Sequence, residues 1–238
     1  MSLAQNAIDT AEIVDGYRAA CDISPLNAAA REGQSYTPSF LDKKTLEKLY
    51  LQMFRIPLLK SANIVILNST AESGYPHTRP NALVCMPTSS VLNTTPDILK
   101  NTLCHEAIHI HQRENPDIWA QACRKDGWTP VKNVHPDFVE RCRLNPDTFI
   151  PQRFWAWHDH HVPLPLFIRE DLPQMNAVQI KWLDLRNNTL YNEAPSTFSK
   201  RYGAAPPQPE HPFELLAVEF AEKYLNTDEL VRAKLASL

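Results

Sequence analysis

Glycine is scarce in this chain of 238 residues: five, against twenty prolines. That scarcity excludes the glycine-rich turns that cradle phosphate. Neither G-x-G-x-x-G nor a P-loop is present, so no nucleotide site is expected. Clustered positive charge is missing too. The formal net charge is −3 and no run of Lys and Arg stands out, which leaves no electrostatic footprint for nucleic acid. The C-x-x-C spacing is absent. The five cysteines, Cys21, Cys85, Cys104, Cys123 and Cys142, are odd in number and far apart. They argue against a disulfide framework or a cysteine-ligated metal, and for a reducing compartment. No apolar run reaches membrane-spanning length. Residues Met1 to Asn6 show no basic stretch leading into an apolar core, so no signal peptide is expected. The expectation is a soluble, cytoplasmic protein with neither a nucleic-acid nor a membrane partner.

What is present is enough apolar residue, 43%, for a sizeable core. The prolines imply fixed, irregular connections. Neither a linker nor an internal repeat is visible, so one domain over 1–238 is expected, α+β and mainly α. Residues 1–60 read as a helical N-terminal extension. An amphipathic helix is predicted over 4–20, with Ile8, Ile13, Val14 and Tyr17 on one side. A loop-like stretch follows over 24–40, then a helix over 41–55 that buries Leu46, Leu49, Tyr50 and Met53. Residues 61–115 hold two strands, 61–67 and 81–86, with a loop between them, and then a long helix. Residues 116–238 read as mainly helical, with one strand over 177–185, a turn at 145–148, a helix from His211 to about Leu225 and a last one capped by Thr227 and Asp228.

The long helix carries Cys104-His105-Glu106-Ala107-Ile108-His109-Ile110-His111. Thr95 fits its N-cap, Pro96 its first position and Asp97 its first turn, while Asn115-Pro116 ends it. Residues four apart on a helix share a face, so His105 and His109 can offer two imidazole nitrogens to one ion, with Glu106 beside them as a general base. His111 falls on another face and reads as a surface residue or a neighbour of the site. Zinc of this kind needs a third protein ligand and keeps one position open. A histidine ligand would require Gly at 112 and His at 115; Gln112 and Asn115 exclude that arrangement. Glu214 is the best candidate. It follows Pro212 in the first turn of a helix, and Ala217, Val218 and Ala221 share its face, small enough for close packing on the first helix. His158-Asp159-His160-His161 reads as a polar loop after an aromatic anchor. His158, Tyr191 or Tyr202 is a candidate donor to a developing oxyanion, and Asp147 or Asp159 a carboxylate orienting a ligand. Trp155, Trp157 and Trp182 read as core.

The segments 105–109, 112–116, 145–148 and 210–217 resemble the H-E-x-x-H zinc metallopeptidases of the glutamate-ligand, gluzincin-like type. More narrowly, they resemble small zincin-like proteins of large DNA viruses and microbes. The resemblance implies a zincin-like fold, with a small mixed sheet beside the active-site helix and a strand that holds an extended peptide by main-chain pairing. It implies one zinc ion and a peptide or protein substrate. The chain departs from the thermolysin-like pattern at Val218, where an Asp would orient a zinc histidine. Two rival readings stand beside the peptidase: a zinc-stapled structural, virion or assembly protein without catalysis, and a hydrolase of a non-peptide amide. A fourth protein ligand would favour the first, a closed pocket the second.

Overall fold

A computed structural model describes residues 2–224; the helix expected after Thr227 lies outside them. The elements are α1 (Leu3–Asp15), α2 (Tyr17–Ile23), α3 (Pro25–Ala30), α4 (Lys43–Phe54), β1 (Asn63–Leu67), β2 (His77–Arg79), β3 (Leu83–Pro87), α5 (Thr88–Leu92), α6 (Pro96–Glu114) and α7 (Pro116–Lys125). They continue with β4 (Trp128–Val131), α8 (Pro136–Glu140), β5 (Phe154–Trp157), β6 (His161–Phe167), β7 (Val178–Asp184), β8 (Thr189–Tyr191), α9 (Ser196–Tyr202) and α10 (Pro212–Tyr224). Among the described residues the fold is mixed α+β with two small sheets. No described helix is long and apolar enough to cross a membrane.

The first sheet has the order β1-β3-β2 and is mixed: β1 runs parallel to β3, β2 antiparallel to it. The central strand β3 is buried along its whole length. β2 lies in the stretch expected to be loop. Its three residues carry no apolar side chain, and all are buried, so hydrophobic patterning gives no sign of it.

The second sheet corrects the expectation of a mainly helical C-terminal part. Five antiparallel strands, β4-β5-β6-β7-β8, occupy it, and only β7 was legible. Pro163 and Pro165 hide β6. The Pro165 carbonyl accepts from Arg143 N–H and Phe167 N–H donates to Arg141, so odd-numbered residues of β6 face away from β7. The missing proline N–H groups therefore cost no bond to β7.

At the N-terminus, the single helix expected over 4–20 is two. Gly16, at φ 61°, ends α1, and its N–H donates to the Glu12 carbonyl. The Glu12 carboxylate then accepts from Arg18 and Ala19 N–H, which caps α2. Ile13 and Val14 lie on the face of α1 away from Ile8 and Ala11 and are 86% and 61% exposed, while Ile8 and, beyond the break, Tyr17 are buried. The loop expected at 24–40 also contains α3. In α4, Leu49 and Met53 are buried as expected but Tyr50 is exposed.

Buried ion pairs dock these helices. Arg79, 0% exposed, donates to Asp15 at 2.6 Å and Glu12 at 2.7 Å. Glu72 accepts from Arg18, Arg31 and Tyr17 Oη. Burial alone would raise the Glu72 pKa, yet Arg31, His77 and Arg18 outweigh it and hold the carboxyl below its ordinary range. Its contribution to stability is therefore present above pH 4.5 and is lost as pH falls further. Glu72→Gln should cost about 3–5 kcal/mol in urea unfolding at neutral pH, because Arg31 is left buried without its anion. The deficit should shrink in acid.

Candidate metal centre

Helix α6 begins as its sequence dictates: the Thr95 hydroxyl accepts the Ile98 N–H at 3.3 Å and Pro96 occupies the first position. Leu99, Leu103 and Ile110 anchor it in the core. That fixes His105 and His109 one turn apart, with their Nε2 atoms 2.9 Å from one another. Helix α10 packs against α6. Its start is set by His211, whose Nδ1 accepts the Phe213 N–H at 3.1 Å. Burial pushes the His211 imidazole down to about 4, so it stays neutral in this role. Glu214 follows, wholly buried, with Oε2 3.3 Å from His105 Nε2 and 3.2 Å from His109 Nε2. Ala217 and Ala221 are buried on the same helix, as expected of its packing face.

Two amides set the electron pairs of this triangle. Gln112 Nε2 donates to the Phe213 carbonyl at 2.9 Å, which leaves its Oε1 facing His109 Nδ1 at 2.7 Å. An amide oxygen only accepts, so Nδ1 carries a hydrogen, and Nε2, facing Glu214, is the nitrogen that a proton or a metal ion would occupy. Gln112 thus takes the orienting role for which Val218 has no suitable group. It sits at i+3 from His109, on the same face, a spacing visible in the sequence. Asn145 does the same for Glu214. Its Oδ1 accepts from Asp147 N–H, and its Nδ2 donates to Glu214 Oε1 at 2.8 Å. Glu214 Oε2 remains buried and without a hydrogen bond.

Three donor atoms thus converge on one point. A tetrahedral ion bound at about 2.0–2.1 Å spaces its donors about 3.3 Å apart, which two edges of the triangle match. Among the described residues, only His105, His109 and Glu214 form such a group. The electrostatics call for a cation as well. Burial opposes charge on His109, but Glu214 and Asp147 outweigh it and lift the ring to about 10. Burial would raise Glu214, but His109 outweighs it and holds the carboxylate well below its usual range. Gln112→Ala should weaken zinc binding about 10–100-fold, read by chelator competition, since it removes the partner that fixes His109.

Glu106 lies beside the triangle, buried, with Oε2 also without a hydrogen bond. Burial first, then the neighbouring Asp147, push its carboxyl well above the ordinary value. Asp147 does not orient a histidine. Its Oδ1 accepts from Thr78 N–H at 2.6 Å and Thr78 Oγ1 at 2.9 Å, and it reaches Glu214 only through Asn145. Arg113 clamps this turn to α6, donating to the Pro146 carbonyl at 2.6 Å. His105, Glu106 and Asp147 open onto a cleft of about 640 Å³ between the 72–76 loop and β7.

Neither His158 nor Tyr191 lines this cleft. His158 and Asp159 form the β5–β6 turn at φ 46° and 70°, and the His158 ring lies on Trp157 at 4.5 Å. Tyr191 is 44% exposed on β8. Tyr202 accepts from Trp128 and donates to Asp126. Their sequence neighbourhoods carry no sign of distance from the helix pair, which is set by sheet pairing. Trp155, Trp157 and Trp182 are core, as expected. His111 accepts from Trp119 Nε1 on the far side of α6. No family model, curated protein or solved structure matches the chain.

Proposed function

We propose that the chain is a zinc metallopeptidase, with His105, His109 and Glu214 as ligands and Glu106 as general base. The observation that carries this reading is the convergence of two imidazole nitrogens and a buried carboxylate oxygen on one point beside Glu106, with His105 and Glu106 lining a cleft. Two imidazoles and one carboxylate suit zinc, with a position left for water or substrate. When bound, zinc supplies a Lewis acid that acidifies water and polarises a carbonyl. Glu106 takes the proton of the attacking water and returns it to the leaving amine. Burial and Asp147 raise its proton affinity, which suits a group that must hold the proton between those steps.

Structural zinc fills its positions with protein groups. Here three donors converge among the described residues, and His105 borders the cleft, which favours catalysis over a structural staple. None of the five cysteines forms a disulfide, which supports a reducing compartment. The test is metal analysis of the purified chain with cleavage of an unbiased peptide library. One zinc per chain and chelator-sensitive cleavage are expected; a chain that takes up no zinc overturns the reading.

A further inference from the structure

The strand beside the active-site helix is β2, and its outer edge is closed. Thr78 N–H donates to Asp147 at 2.6 Å, so Thr78 faces away from β3. The outward positions alternate along the strand and are therefore 76, 78 and 80. Pro76 and Pro80 have no N–H to give. The Thr78 carbonyl accepts from Arg113 Nη2 at 3.3 Å. Three successive outward positions thus leave no free donor, and a ladder needs donors as well as acceptors. Across the cleft, the half-buried Val178 and Ile180 of β7 and the buried Met175 form an apolar wall. Its volume, about 640 Å³, lies within the range of small-molecule pockets, roughly 300–1,000 Å³.

We infer that the site takes a compact amide, a short acylated peptide whose apolar side chain lies on Val178 and Ile180, and not an extended polypeptide added as a strand. This rests on the hydrolase reading above. The test compares an N-acetylated dipeptide amide carrying leucine with the same sequence lengthened to twelve residues, on the zinc-loaded full chain. With no strand subsites, kcat/KM should stay within about threefold on lengthening; a net hydrogen bond is worth up to about tenfold, so several working strand subsites would raise it at least about thirtyfold. Ile180→Ser should raise KM about tenfold with kcat and zinc content held, the mark of lost uniform binding.

A readout free of turnover uses zinc-loaded Glu106→Gln. By calorimetry, a leucine hydroxamate and a dodecapeptide hydroxamate should bind within about threefold of one another. A much tighter long ligand, or an unmoved KM in Ile180→Ser, overturns this inference alone. Failure to take up zinc overturns the metal-site reading and this inference with it.

Discussion

Glu106→Gln is expected to keep one zinc per chain and to lower kcat by about 10²–10⁴-fold, the usual worth of a positioned general base. Glutamine has the same shape, so a buried position keeps its packing. It cannot take a proton from water at neutral pH. The substitution also removes one of three mutually repelling carboxylates, since Asp147 and Glu214 both oppose the charge on Glu106. The thermal midpoint should therefore hold or rise, and KM should change little, because the lost interaction acts on the proton in flight. Stopped assays on chelator-treated and zinc-restored protein separate the outcomes. Wild-type turnover removes Glu106 from the mechanism. Loss of zinc makes it a ligand instead.

Helix α6 was legible in the sequence because every device that shapes it is local. Thr95, Pro96 and Asn115-Pro116 mark its ends, and a fixed period of 3.6 residues places His105 over His109. Glu214 was legible for a different reason: small residues on its face announce close packing, though not what lies opposite. The Gln112 amide stands at a local spacing from His109, yet its orientation is settled by Phe213, a hundred residues on. The closed edge of β2 shows the same limit. Pro76 and Pro80 are plain in the sequence, but they matter only once Thr78 is known to face outward. The second sheet stayed hidden because proline in β6 is tolerated on the side away from β7, a fact of pairing and not of propensity. At the N-terminus one left-handed residue, Gly16, resets the helical phase, so Tyr17 is buried on α2 while Ile13 and Val14 stay on the solvent face of α1.

Glu214→Ala should weaken zinc binding by more than about a hundredfold, beyond the upper end of what loss of an orienting partner such as Gln112 costs. The truncation also leaves Asn145 Nδ2 without its acceptor, a cost of about 1–3 kcal/mol, so Glu214→Gln is the sharper variant. It keeps an oxygen for Asn145 and removes only the anion. Zinc affinity should fall nearly as far, with less loss of stability. The metal-free protein supplies an independent readout. There His109, lifted to about 10 from 6.5 chiefly by Glu214 against burial, holds a proton at neutral pH. A raised imidazole stabilises the fold fully below 6.5 and loses that contribution as pH climbs through about 10. The depressed Glu214 contributes above 4.5 and loses it as pH falls. The metal-free chain should thus gain most from this pair between those limits, and in Glu214→Gln the gain should vanish, with the His109 titration moving down, as seen by nuclear magnetic resonance. Zinc uptake requires His109 to release that proton, so apparent affinity should rise about tenfold per pH unit across neutrality in the wild type and more weakly in the variant. A wild-type zinc affinity and an unmoved His109 titration in Glu214→Gln would place the third ligand elsewhere.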